Sequence, residues 1–287
     1  MPKNIKKYYS DPWKVYADRY RDLYWAPGKP TEQERKIFFK FFKDCLKLCK
    51  TEKPKALVLG ATPSVRDELA KLDVDVTLLD LNPVMVKAMN KLVTHNKQEK
   101  YVKGSWLDIP FKEGTFDIVA GDLVVGNIDL KNNDKFVKEV SRVLKPHGFW
   151  IHRIFWIPDN WVKLSVEEIL KKFSKMKPTY NRSSEIFIHM LYDFFDKGKL
   201  EAATSYAGKQ LGKFIKNGKF FYPQNKYVEG WLKDAYEMWK PFKKIWLAAN
   251  KEITLSWFTP YFDIVKEESA NDHFFAKWFP LIVCRKK

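Results

Sequence analysis

Residues 55–80 read KALVLGATPSVRDELAKLDVDVTLLD. An apolar run, Ala56-Leu57-Val58-Leu59, turns at Gly60, passes through a short helical segment and returns as a second apolar run that ends on Asp80. Strand, tight loop, helix, strand and terminal carboxylate form the layout of a site for an adenosine-containing cofactor. A glycine at the turn lets the backbone approach a ligand, and an acid at the end of the second strand can accept ribose hydroxyls. The loop Gly60-Ala61-Thr62-Pro63-Ser64 carries one glycine where a dinucleotide fingerprint carries three. The same residues also fit an ordinary strand-to-helix turn, with Asp80 as a surface acid.

Working outward, the signals keep alternating. Asn82-Pro83 is a helix start, Asn as cap and Pro in the first turn, and the stripe Val84, Met85, Val86, Met89, Leu92, Val93 continues it to His95. A short strand follows at 101–108, ending on Asp108, and a fourth at 116–121 runs into Asp122. Asn132 or Asn133 caps a helix through Leu144, the turn Lys145-Pro-His-Gly148 follows, and 149–155 is a fifth strand. Two further strands, 261–265 and 279–284, are joined by the polar loop 267–272. The pattern predicts an α/β, doubly wound, mostly parallel seven-stranded sheet closed by a C-terminal antiparallel hairpin.

Residues 158–250 differ in character. Helical periodicity predicts helices at 165–176, 184–195, near 200–217 and at 226–246, in a block rich in aromatics and lysine. This α-helical insertion is expected to lie over the carboxyl ends of the strands, where ligands of such sheets bind. The organisation is therefore an N-terminal helical arm at 1–54, a cofactor-binding core at 55–157, a helical cap at 158–250 and a hairpin at 251–287 completing the core sheet. In the arm, Thr31-x-x-Glu34 is a capping box, and Phe38, Phe41, Phe42, Cys45, Leu46 and Cys49 repeat as a core face. Trp13, Tyr16, Tyr20 and Tyr24 form an earlier stripe whose phenols are candidate substrate contacts.

The 287 residues carry a net charge of +17, distributed unevenly. Residues 1–55 hold +8, residues 56–159 are neutral, residues 160–250 hold +8 and residues 251–287 hold +1. A neutral core with basic flanks suits a polyanionic partner or a lysine-rich solvated surface equally. No segment is apolar enough to span a bilayer, and the first residues lack the apolar stretch of a signal peptide. Three cysteines without metal-ligand spacing predict no metal site and free thiols in a reducing cytoplasm.

The order of signals resembles a class I S-adenosylmethionine-dependent methyltransferase, over residues 55–157 and the terminal hairpin. The segment Glu139-Val-Ser-Arg-Val-Leu-Lys-Pro-His-Gly148 is similar to that family's E-x-x-R-V-L-K-P-G-G. Gly104-Ser-Trp-Leu-Asp-Ile-Pro110 and Phe116-Asp-Ile-Val119 resemble its acidic strand end and F-D-x-V pattern. Gly60-Ala-Thr-Pro63 and Gly121-Asp122 look like a subgroup with a Gly-x-Thr-Pro loop. The resemblance implies a Rossmann-like fold and S-adenosylmethionine as cofactor, leaving as S-adenosylhomocysteine. It implies that Gly60, Ala61 and Thr62 approach the methionine part, Asp80 holds the ribose and Leu81 packs on the adenine. Asp108 would accept from the adenine amino group beside Trp106 and Leu107, and Asp122 would face the cofactor amino group or the substrate.

A sulfonium is an activated methyl donor, so the protein mainly aligns an O or N nucleophile with it. Asp122 and His152 are candidate bases, and Arg153 a candidate holder of an anionic acceptor group. A small or medium-sized acceptor under the cap is expected. The alternatives are an RNA acceptor or RNA binding by the basic segments, and a nicotinamide-dependent reductase using Tyr222…Lys226 or Tyr236…Lys240.

Overall fold

The computed structural model describes residues 17, 26–95, 99–177, 182–193, 195–216, 219–220, 226–239 and 244–287. Five strands come first, with helices in every connection but that from β3 to β4: β1 (Lys55–Leu59), β2 (Asp75–Asp80), β3 (Lys100–Lys103), β4 (Phe116–Asp122) and β5 (Leu144–Arg153). The short strands β6 (Glu201–Ala203), β7 (Ile215–Lys216), β8 (Lys219–Phe220) and β9 (Ile245–Leu247) follow, and then β10 (Phe262–Glu268) and β11 (Leu281–Lys286). The main sheet runs β10-β11-β5-β4-β1-β2-β3. β1 to β5 are mutually parallel, and β11 is antiparallel to both β5 and β10. Chain order reverses between β1 and β4, which opens a crevice at their carboxyl ends.

Both faces of the sheet are covered, which is why β1 and β4 are buried almost along their whole length rather than at alternate residues. On one face lie α1 (Glu32–Leu48), α2 (Pro63–Ala70) and α3 (Pro83–Asn90). There Phe38, Phe41 and Phe42 of α1 pack with Val58, Ile118, Ala120, Ile151 and Val283. Each such phenylalanine contributes about 1.5–3 kcal/mol of burial. On the other face α4 (Asn133–Val143) sets Phe136, Val137 and Val140 against Leu57, Leu59, Val119 and Trp150. Asn82 caps α3 by accepting from the N–H groups of Val84 and Met85. Asn132 stands at the cap of α4 without a side-chain cap bond, because a 3-10 turn, Leu130–Asn132, leads into the helix.

The segment 158–250 contains α5 (Val166–Ser174), α6 (Ser183–Asp193), α7 (Thr204–Gly212) and α8 (Lys226–Trp239). Two expected helices are shorter than their periodicity suggested. The one near 200–217 begins as β6, and of the one at 226–246 the residues Lys226–Trp239 are helix while Ile245–Leu247 form β9. β6 and β9 pair antiparallel, Glu201 with Leu247 and Ala203 with Ile245. The hairpin is preceded by α9 (Lys251–Ser256), and its connection is not simply polar: Phe275 and Phe279 enter the aromatic core of the cap.

The segment resembling E-x-x-R-V-L-K-P acts as a fastener. Arg142 donates to the carbonyls of Phe111 (2.7 Å) and Ile109 (2.8 Å), while Glu139 accepts the Ile109 N–H (2.8 Å). Lys145 and Thr51 both donate to Asp117, which also accepts the Lys55 N–H. These contacts tie the loop after β3 to α4 and the start of β1 to β4. They hold the walls of the crevice and do not line it.

Candidate functional site

Gly60, Asp80 and Trp106 meet at the carboxyl ends of β1 and β2. Gly60 has φ +91, a conformation that L side chains rarely adopt, and a Cβ built there would stand 3.5 Å from the Trp106 ring and 3.9 Å from Asp80 Oδ2. The bare Cα is thus open toward a carboxylate. Its N–H donates to the Leu79 carbonyl at 2.9 Å, and the Trp106 indole N–H donates to the same oxygen at 2.8 Å, which pins the ring across the loop. Asp80 accepts the Asn82 N–H at 2.7 Å, and burial pushes its carboxyl up to about 6.

The remaining expected residues surround this trio. Ala61 is buried, Thr62 caps α2 without a side-chain cap bond and Pro63 fills its first turn. Leu81 and Leu107 are half-buried, and Asp108 is exposed where the turn 105–108 closes by a bridge to Ser105. Tyr16, Tyr20 and Tyr24 lie outside the described residues, as do Tyr222 and Lys240.

Asp122 ends β4 beside Arg153 at the end of β5, its register partner. Arg153 Nε lies 2.7 Å from Asp122 Oδ1, and Arg153 Nη1 lies 2.6 Å from Glu34 Oε2. His273 Nε2 stands 3.2 Å from the other Glu34 oxygen. Burial alone would raise the Glu34 carboxyl, but Arg153 and His273 outweigh it and hold it at about 2. Burial raises Asp122 above its ordinary value against the pull of Arg153. The Arg153 guanidinium is fully buried and engaged at both ends, so it is not free to hold an anionic acceptor, contrary to the expectation from sequence.

His152 is also not a base. It points to the opposite face of the sheet from Arg153, stacks on Trp150 with ring centroids 4.1 Å apart and meets Phe258 edge-on. Neither ring nitrogen has a partner among the described residues, and burial pushes the imidazole down to about 3. It is a neutral, fully enclosed ring.

Sequence reasoning did not single out three participants. Glu34 was visible only as a helix cap. His273 sits in a loop without any motif. Lys244 enters from the cap: its Nζ donates to Asn127 Oδ1, in the turn after β4, and lies 4.4 Å over the Trp246 ring. Burial lowers this amine to about 7, against the opposing pull of Asp129 and Asp80.

Among the described residues, no group of three or more His, Cys, Asp or Glu side chains could hold a metal ion, and no helix is long and apolar enough to cross a membrane.

Residues 59–152 match a family model described as a methyltransferase domain. A protein of Synechocystis sp., described as an uncharacterized methyltransferase, is 33% identical over 98 residues, which cover 33% of this chain and 43% of that protein. The match therefore spans less than half of that relative. Among solved structures, one from Rhodobacter sphaeroides, described as a candidate Zn-dependent alcohol dehydrogenase, superposes with a TM-score of 0.62 at 13% identity, over 96% of this chain and 97% of that one. The N-methyltransferase NodS from Bradyrhizobium japonicum, in complex with S-adenosyl-L-homocysteine, superposes with a TM-score of 0.50 at 11% identity, over 95% and 98%. At these identities both structures share the fold of this chain.

Proposed function

We propose that this chain, a class I S-adenosylmethionine-dependent methyltransferase, transfers the methyl group to an oxygen or nitrogen nucleophile of a small or medium-sized acceptor held under the cap. The observation that carries the reading is the open Cα of Gly60 facing the Asp80 carboxylate beneath Trp106, at the crevice between β1 and β4. A backbone cradle opposite a buried carboxylate fits a ribose flanked by an aromatic surface. The nicotinamide-reductase alternative gives way to the methyltransferase domain matched over 59–152.

Gly60, Ala61 and Thr62 would receive the methionine part, Asp80 the ribose hydroxyls, and Leu81, Trp106, Leu107 and Asp108 the adenine. Asp122, oriented by Arg153, would face the cofactor's amino group. The bound sulfonium supplies an activated methyl group, and the chain's residues position the acceptor and exclude water. With Arg153 consumed by Asp122 and Glu34, an anionic acceptor loses the residue expected to hold it.

Calorimetry with S-adenosylmethionine, S-adenosylhomocysteine and NADPH tests the donor side. Binding of the first two, lost in Asp80→Ala, is expected; near-wild-type affinity in that variant would sink the assignment of Asp80. Radiolabelled methyl transfer to a panel of amines and hydroxyl compounds tests the acceptor side. RNA as acceptor is favoured by the exposed Lys209, Lys213 and Lys216 on and after α7. Steep salt dependence of binding to random RNA would support it, and no gel shift at low salt would dismiss it.

A further inference from the structure

Four polar side chains from separate segments close on one another beside the end of β4. Arg153 donates to both Asp122 oxygens, from Nε at 2.7 Å and from Nη2 at 3.2 Å, as an ionised carboxylate accepts. Its third guanidinium nitrogen, Nη1, donates to Glu34 Oε2 at 2.6 Å. The fork is therefore held from both sides, and turning it off Asp122 would also break the Glu34 bond. The Phe279 ring, 5.5 Å from the guanidinium carbon, covers it without adding charge. His273 completes the set. Its Nδ1 accepts the Phe275 N–H at 3.3 Å, which leaves the hydrogen on Nε2, 3.2 Å from Glu34 Oε1. A neutral imidazole thus donates to Glu34.

Glu34, Asp122 and Arg153 act electrostatically on one another, and His273 acts on Glu34. With His273 neutral, two carboxylates share one guanidinium, and the buried set keeps one negative charge in excess. Asp122 is the member that stands at the crevice. Leu59 pairs with both Gly121 and Leu79, so Gly60 leaves β1 between Asp122 and Asp80, with about 4.8 Å from strand to strand. The loop Gly60–Thr62 then turns into α2, on the face of the sheet that α1 also covers. The excess charge thus lies beside the loop read above as the seat of the methionine part. A cation arriving there gains an ion pair without displacing Arg153, and it relieves a buried charge that one arginine cannot balance.

We propose that Glu34 is a positioning residue for the cofactor, holding through Arg153 a carboxylate of uncompensated charge toward the ammonium group of the ligand's methionine part. This inference rests on the methyltransferase reading above, with Asp122 facing that ammonium. Glu34 touches no ligand itself. It acts by fixing the guanidinium and by keeping the set negative. An arginine shared by two carboxylates orients Asp122 without neutralising it, whereas an arginine paired with Asp122 alone would do both. With a neutral side chain at position 34, the incoming ammonium would meet an ion pair already balanced.

The test is calorimetry of the full chain at neutral pH with two ligands, S-adenosylhomocysteine and 5′-methylthioadenosine. The second keeps the adenine and ribose and lacks the amino and carboxyl groups. Glu34→Gln should weaken the first ligand about tenfold or more and leave the second within about twofold. A role in folding alone would move both ligands together or neither, and either result overturns the proposal. Asp122→Asn leaves Glu34 on Arg153 and should give the same selective loss; unchanged S-adenosylhomocysteine affinity in that variant overturns the proposal as well. A wild-type chain that binds neither ligand would instead strike the methyltransferase reading, so the two failures are distinguishable.

Discussion

Glu34 Oε2 lies 2.6 Å from Arg153 Nη1, although 119 residues separate them and neither side chain is exposed. The same carboxylate oxygen accepts the Thr31 N–H at 2.7 Å, so the residue that closes the capping box of α1 also anchors the arginine that orients Asp122. The start of α1 and the carboxyl end of β4 are thereby one charged unit. Glu34→Gln keeps the capping geometry, since glutamine also serves at that position, and removes only the charge. Breaking one partner of a buried ion pair costs about 3 kcal/mol, the lower part of the usual range, because Asp122 still engages Arg153. Urea unfolding should read this loss at pH 7. The Glu34 carboxyl is depressed, so its contribution is fully present above its unfolded value and is lost as pH falls toward about 2. The gap between wild type and variant should accordingly close between about pH 4.5 and pH 2.

Asp80 has the opposite sign. Burial raises its carboxyl to about 6, so in the free protein it ionises only above that pH, where the buried charge costs stability in full. Asp80→Asn should therefore raise the melting temperature of the free protein at pH 8, by up to about 3 kcal/mol of stability, while abolishing cofactor binding. Wild-type affinity for S-adenosylhomocysteine should weaken by up to about tenfold per pH unit below 6, as the carboxylate is lost. Calorimetry from pH 5 to 8 reads the second effect and differential scanning the first. A flat affinity profile would show that the ribose does not depend on this carboxylate.

The parts of this molecule legible in its sequence are those written locally. β1 to β5, the Asn82 cap and the pairing of Gly60 with Asp80 all follow from spacing within about 25 residues, where one strand or one turn sets the pattern. The resemblance added Trp106 and Asp108, which no periodicity marks. What escaped was long-range or too short to have a period. Glu34 and Arg153 belong to different local patterns, and nothing in either predicts the other. β6 and β9 are three residues long, too short for a period-2 signal, and β9 was absorbed into the helix expected at 226–246. Lys244 went unnoticed for the same reason. His152 was misjudged because position along a strand does not reveal which face is sealed.

Gly60→Ala separates conformation from space. The added methyl would stand 3.5 Å from Trp106, an ordinary contact, so no clash with the ring is expected. The strain comes from φ +91, which costs an alanine about 1–3 kcal/mol. The loop should relax away from this conformation, with a modest loss in melting temperature and about a tenfold or greater loss in S-adenosylhomocysteine affinity by calorimetry. Unchanged affinity would mean that the backbone there does not approach the ligand.

His152→Phe tests the enclosed ring directly. Both imidazole nitrogens lack partners among the described residues, and the neighbours Trp150 and Phe258 are aromatic. An unsatisfied buried polar group costs about 1–3 kcal/mol, so a phenyl ring of similar shape should leave stability at pH 7 unchanged or higher. The imidazole is held down at about 3, well below its value in an unfolded chain, so the unfolded state binds the proton first. Wild-type stability should therefore decline as pH falls from about 6.5 toward 3 more steeply than that of the variant. Thermal melts at pH 8 and pH 4.5 compare the two. Methyl transfer, once an acceptor is in hand, should keep its pH dependence in His152→Phe; a lost limb of the pH–rate profile would return His152 to the list of bases.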